Sequence, residues 1–513
     1  MNSGWENWAI SIATFLPLVG ALVIAFTPRE RDRLVRSLGV LITAGALIAG
    51  VVMAMGFDYG AGHGLQFEVN ARWIPVIGAR YHVGIDGISL PLYLLTLALS
   101  FLCAIYSYRF VPSPGRTKSF LALQLLLETG MAGTFIAFDL ILFFVFWELV
   151  LVPMYFLIGI WGSANREYAA IKFFLYTLFG SVFMLLAFLG IYFRSSVNGA
   201  HTFDIVQLQQ FAASGGFTKA FQLVAFVGVF LGFAIKVPMW PFHTWLPDAH
   251  TEAPTVGSVL LAGILLKMGT YGFIRVALPI LPDAAREWAP WIGGLAAIAI
   301  VYAALACLAQ RDLKRLIAFS SVGHMGFVML AIATLTPIGI NAAIFGMVAH
   351  GVITGMLFFC VGSIYDRYHT REIAELGGGL MQKLPYLGGV FAFVAIASLG
   401  LPGLAGFWGE VMALLSSYQP AQALNTGLFR AFMVAGGVGT ILTAGYFLWM
   451  LQRVTMGTLP ERWRESALPD VVTVEWVSWL PLLLAIVALG VFPRLILGVT
   501  DGAVSGLMRL FGG

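Results

Sequence analysis

Residues 231–254, LGFAIKVPMWPFHTWLPDAHTEAP, carry an apolar helix into a lysine and then into a run of prolines and aromatic rings. Proline removes a backbone donor and clashes with the turn before it, so the helix that reaches Lys236 is expected to break at Val237 and Pro238. Irregular backbone at bilayer depth is tolerated only when buried in protein or lining a hydrated cavity. The same reasoning applies to Leu401-Pro402-Gly403, which interrupts a second apolar run just before Phe407-Trp408-Gly409-Glu410. Each break lies close to an ionisable residue. Paired interruptions of this kind mark internal repeats with an ion site at their interface.

The rest of the chain supplies the membrane context. Its 513 residues are 59% hydrophobic and 11% charged, with 58 glycines, and the mean hydropathy is +0.89. This excludes a soluble globular enzyme and fits an all-α polytopic membrane protein. Runs of about 20 apolar residues recur often enough for about 14 transmembrane helices. They are placed near 6–27, 34–56, 86–108, 119–138, 140–161, 168–193, 219–238, 255–281, 288–309, 312–333, 337–365, 384–416, 424–452 and 472–497. The broken helices are then 7 and 12, five spans apart. Two five-helix repeats follow, spans 4–8 and 9–13, and the odd number makes them inverted. The chain divides into 1–118 (spans 1–3 with an outer loop), 119–281 (first repeat), 288–452 (second repeat) and 453–513 (C-terminal loop and span 14).

Segments 28–36, 109–118, 162–172, 310–315, 366–383 and 453–464 carry about 18 of the 29 lysines and arginines. By the positive-inside rule they are cytoplasmic, which puts both termini on the periplasmic side of a bacterial inner membrane. The start of the chain lacks a basic n-region and cleavage site and is read as the first span. In the outer loop 57–85, alternation in QFEVNARW and RYHVGI around IPVIGA predicts a β-hairpin cap. His63 and His82 fall there and are expected to be solvated.

Cys103, Cys307 and Cys360 lie far apart in apolar surroundings, with no cluster to hold zinc or iron–sulfur. Neither GxGxxG nor GxxxxGK[ST] is found in a strand-to-helix context, so no means of binding NADH or splitting ATP is visible. The net charge of +4 is dispersed among short loops, which argues against a nucleic-acid partner.

A charge at bilayer depth costs several kcal/mol, so isolated ionisable residues in apolar spans mark a pathway. Glu148, in DLILFFVFWELVLVPMYF, needs an internal partner, and Lys236 is the deep cation early enough to supply one. At about 4 Å and an effective dielectric near 20 such a pair is worth about 4 kcal/mol. Moving one charge through 100 mV takes about 2.3 kcal/mol, so opening or closing the pair is sufficient to drive a neighbour's protonation. That neighbour is Lys267, in LLAGILLKMGTYGF. His324 and His350, beside Ser320, Ser321 and Thr354, fit a hydrated relay, since histidine exchanges protons near neutral pH. Glu410, just past the second break, fits an exit group. Secondary candidates are Glu128, Asp139, His243, Asp248 and His250, the last three able to orient water from the cytoplasm. HTWLPDAH has the wrong spacing for a zinc motif. The competing reading makes the lysines static counter-ions and the histidines interhelical hydrogen-bonding groups.

KVPMWPFHTWLPDAHTEAPT, VGIDGISLPLYLLT and FWELVLVPMYFLIG together resemble the antiporter-like subunits of respiratory complex I and the related multisubunit cation/proton antiporters. The resemblance covers most of the chain. It implies fourteen core helices, inverted repeats, and proton transfer along buried charges at Glu148, Lys236, Lys267, His324, His350 and Glu410. A glutamate at position 410 resembles the M-type branch, where L-type and N-type relatives usually carry lysine. The long lateral helix of the L-type branch is missing. The resemblance further implies that NADH, FMN, the iron–sulfur clusters and quinone are handled by other subunits, with L-type and N-type chains as membrane neighbours. A subunit of a Mrp-type sodium/proton antiporter, a secondary transporter with no redox partner, is the alternative, and buried carboxylates and carbonyls at broken helices are also able to bind sodium.

Overall fold

The computed structural model describes residues 8–28, 30–60, 64–197 and 199–511; His63 lies outside them. Among the described residues thirteen helices are long and apolar enough to cross a membrane. A fourteenth crossing is split: Pro385–Ser398 and Ala405–Tyr418 contain 14 residues each, too short singly to span about 30 Å at 1.5 Å per residue. The intervening Leu-Pro-Gly turn places Gly400 at φ 78° and Gly403 at φ 91°, the left-handed region that glycine enters without steric cost. The seventh span behaves similarly. Its helix Lys219–Lys236 stops at the lysine and gives way to turns before the short helix Trp245–Glu252.

Several helices start where a polar side chain satisfies an orphan backbone donor. Asp139 accepts from the amides of Ile141 and Leu142, Asp312 from Arg315, Thr336 from Gly339 and Asn425 from Leu428. The eighth span, Thr255–Ile280, is wholly buried along its apolar window and the eleventh, Pro337–Tyr368, is 94% buried. The second (Asp32–Met55) and thirteenth (Thr426–Val454) are only 28% buried there, with Leu41, Ile48, Val434 and Ile441 turned outward. The eighth and eleventh spans therefore form the interior, and the second and thirteenth lie at the periphery.

The basic loops collect on one face. Arg371 bonds the Thr251 carbonyl and Ser163, the amide of Leu313 donates to the Arg371 carbonyl, and Arg462 bonds the Glu375 carbonyl. The opposite face carries the antiparallel hairpin, Gln66–Ile74 with Ala79–Ile85, as the alternation predicts. Two helices there were not anticipated, Ile205–Ala213 and the C-terminal Arg494–Met508. The sequence reading also left His82 in water, and the structure corrects this. His82 is 2% exposed, with Nδ1 2.8 Å from Asp204 and Nε2 2.9 Å from Glu68. The alternating pattern identifies which face of the strand is apolar, but not that a later helix start will cover a polar position.

Candidate proton-transfer site

The eighth span brings Lys267 to the middle of the protein. It is flanked by two π-helical turns, Leu261–Leu265 and Phe273–Ala277, a helix irregularity frequent at functional positions. Lys267 is fully buried. Its ammonium reaches back to the Ala262 carbonyl and lies 2.6 Å from Nδ1 of His350 in the eleventh span. The His350 and His324 ring centroids are 5.8 Å apart. Nδ1 of His324, in the tenth span Leu313–Ala333, lies 2.8 Å from Oε1 of Glu410. Four residues from four spans thus form one file: Lys267, His350, His324, Glu410.

The distal half of this file borders a cavity of about 30 Å³ lined by His324, His350, Thr354, Ser398 and Glu410. Nε2 of His350, Oγ1 of Thr354 and Oε2 of Glu410 are buried without a hydrogen-bond partner. That volume holds a water, and three unpaired polar atoms supply the contacts a buried water needs. The Ser320 and Ser321 hydroxyls instead bond back to the Ile317 carbonyl of their own helix.

Glu148 and Lys236 are not in direct contact, contrary to the sequence expectation. Among the described residues no ion pair within 4.0 Å joins them. They remain within electrostatic reach of each other, and Glu148 is beside Ser181. The Lys236 ammonium lies 5.1 Å from the Trp147 ring centroid, a cation–π arrangement. The break after Lys236 fixes where its side chain begins, and the Trp147 ring beneath its ammonium donates through Nε1 to Ser181 at 3.1 Å.

The secondary candidates separate into distinct roles. Asp139 caps a helix and accepts from the Arg80 amide. Asp248 is held by Lys172 at 2.7 Å and Arg315 at 3.2 Å. His243 packs edge-on against Tyr302. His250 stacks on Phe358 with both ring nitrogens unpaired, within electrostatic reach of Lys267 and Lys314. Glu128 is wholly buried with neither oxygen paired.

Three further groups were not singled out by sequence. Lys314, read as a loop cation, is buried and bonds the Ala253 carbonyl. It lines a cavity of about 240 Å³ on the basic-loop face, with Glu252, Asp366 and Arg371. On the hairpin face Asp86 accepts from Arg275 at 2.6 Å and from the amides of Ile88 and Ser89. Burial pushes the Asp86 carboxyl up, but the Arg275 charge and these bonds outweigh it and hold Asp86 below the usual carboxylate range. Arg367 and Glu475 form a buried bidentate pair at 2.8 and 2.7 Å. The VGIDGISL motif gave a signal for Asp86; its partner 189 residues away gave none.

The fold and site together define a polytopic helical membrane protein with an internal file of buried acid, base and imidazole groups. Residues 137–436 match the family described as NADH:quinone oxidoreductase/Mrp antiporter, TM. A Rickettsia bellii protein named NADH-quinone oxidoreductase subunit M is 41% identical over 507 residues, covering 98% of this chain and 99% of its own length. A chain in the structure of respiratory complex I from Thermus thermophilus superposes with a TM-score of 0.86 at 29% identity, over 98% of this chain and 100% of that one. A chain of the Mrp complex from Dietzia sp. DQ12-45-1b shares the fold, with a TM-score of 0.82 at 21% identity over 98% of this chain and 52% of its own. The chain belongs to the NADH:quinone oxidoreductase/Mrp antiporter membrane family.

Proposed function

We propose that this chain is the M-type, proton-translocating membrane-arm subunit of an NADH:quinone oxidoreductase. The observation that carries this reading is the file Lys267–His350–His324–Glu410, a chain of hydrogen-bonding and titratable groups across four spans. Protons enter from the basic-loop face at the Lys314 cavity, pass His250 and reach Lys267. His350 and His324 carry them to Glu410. Glu148 and Lys236 act on Lys267 through the field between them, which changes as Lys236 moves toward Glu148 or back over Trp147. Spans 4–8 and 9–13 form the two inverted repeats, each with its broken helix.

NADH, FMN, the iron–sulfur clusters and quinone belong to other subunits. L-type and N-type chains are the neighbours in a bacterial inner membrane, with both termini periplasmic. The extent of identity to the subunit M relative supports this reading over a Mrp-type sodium/proton antiporter, for which the likeness lies in the fold. Purification of the native assembly tests the choice. Flavin and iron–sulfur signals with quinone-dependent proton pumping are expected. Sodium/proton exchange by an assembly without redox centres would reject the reading.

A further inference from the structure

The first (Ala9–Phe26), third (Ser89–Arg109) and fourth (Thr117–Ile136) spans enclose a polar column outside the two repeats' junction. On the hairpin side the Tyr81 and Ser11 hydroxyls meet at 2.6 Å, and those of Tyr93 and Thr14 at 2.9 Å. On the basic-loop side Ser107 donates to Gln124 at 3.3 Å, Gln124 donates to the Ser100 carbonyl at 3.3 Å, and Arg36 bonds the Tyr108 carbonyl at 2.5 Å. Glu128, one helical turn beyond Gln124 and on the same face, stands between these halves. It is 0% exposed, and its two carboxyl oxygens and the Ser100 hydroxyl are unpaired. Tyr93 and Cys103 lie within its electrostatic reach. A carboxyl group buried without a partner is tolerated as the neutral acid, and such an acid has a proton to give.

We propose that Glu128 is the proton-carrying acid of a second transmembrane path, between the first, third and fourth spans, from Ser107 and Gln124 on one side to Tyr93, Thr14 and Tyr81 on the other. Glu128 yields its proton toward the Tyr93–Thr14 hydroxyls and recovers one from the Gln124–Ser107 side. No electron moves, and the acid is restored each cycle. The competing role is a neutral packing group, which glutamine fills equally well. The inference rests on the reading of the chain as a proton translocator, and the test separates the two.

The intact complex carrying Glu128→Gln or Tyr93→Phe is reconstituted into vesicles, with protons moved per NADH oxidised as the readout and Lys267→Ala as the reference. Both first variants are expected to retain NADH oxidation while moving fewer protons per NADH. Infrared difference spectra during turnover are expected to lose a protonated-carboxyl band in Glu128→Gln. Wild-type proton yield in Glu128→Gln or, should that variant fail to assemble, in Tyr93→Phe would overturn the proposal. A loss confined to Lys267→Ala removes this path alone; no loss in any variant removes the translocator reading with it.

Discussion

His324 holds Glu410 through Nδ1 at 2.8 Å and Ser398 through Nε2 at 3.0 Å, so one imidazole ties the tenth span to both halves of the broken twelfth. The break leaves room for this, because Gly400 and Gly403 turn the chain between Ser398 and Glu410. His324→Ala removes both bonds and the ring that faces His350. Loss of about tenfold or more in proton-pumping rate is expected, equivalent to about 1.4 kcal/mol or more in barrier, with assembly intact on native gels. His324→Gln, which keeps hydrogen bonding but cannot carry a proton as imidazole does, is expected to lose as much.

Gly409 allows the eleventh and twelfth spans to approach closely. A Cβ there would lie 2.7 Å from the Gly346 Cα, and backbone cannot yield as a flexible side chain can. Gly409→Ala is therefore expected to push Glu410 away from His324, reducing pumping and lowering the melting temperature in detergent by several degrees, about the effect of 1–3 kcal/mol of overpacking. Gly437→Ala, with nothing within 4 Å of its added methyl, serves as the neutral comparison.

The Arg367–Glu475 pair fixes the end of the eleventh span to the start of the fourteenth, Thr473–Val491. Glu475 is 0% exposed. Glu475→Ala leaves the buried Arg367 guanidinium with only the Ser363, Pro469 and Asp470 carbonyls and no carboxylate, at a cost of about 3 kcal/mol. A clear fall in thermal stability in detergent is expected, larger than for Arg430→Ala, whose side chain packs on Tyr418 and bonds its carbonyl in an exposed setting.

At the hairpin, burial works against charging His82, but its bonds to Asp204 and the charges of Asp204 and Glu68 prevail and raise its pKa above 6.5. Burial likewise pushes Asp204 up, but His82 prevails and lowers it below 3.8. The histidine contribution is complete below about 6.5 and is lost as pH rises through the raised folded value. The aspartate contribution is complete above about 3.8 and is lost as pH falls through its lowered value. The melting-temperature gap between wild type and His82→Ala is expected to be widest between these limits and to shrink on either side.

Hydropathy exposed nearly the whole helical plan, because each span must satisfy the bilayer's thickness within one continuous segment. The two breaks were equally legible, since Pro238 and the Leu401–Gly403 turn act through local backbone chemistry. So were Lys267, His324, His350 and Glu410, each conspicuous as a polar residue in an apolar run. The sequence was silent where long-range packing decides. Asp86 with Arg275 and Arg367 with Glu475 join residues that have no local relationship. Lys314 looked like a loop charge until the neighbouring elements closed over it, and the charge argument for Glu148 and Lys236 did not account for the Trp147 ring.

Whether Lys267 and Glu410 belong to one path is tested most directly by a double-mutant cycle on protons moved per NADH in reconstituted complex, using Lys267→Ala, Glu410→Gln and their combination. Groups acting in series fail together, so the double variant is predicted to lose no more than the worse single variant. Losses that add independently, or a wild-type proton yield in either single variant, would contradict the account.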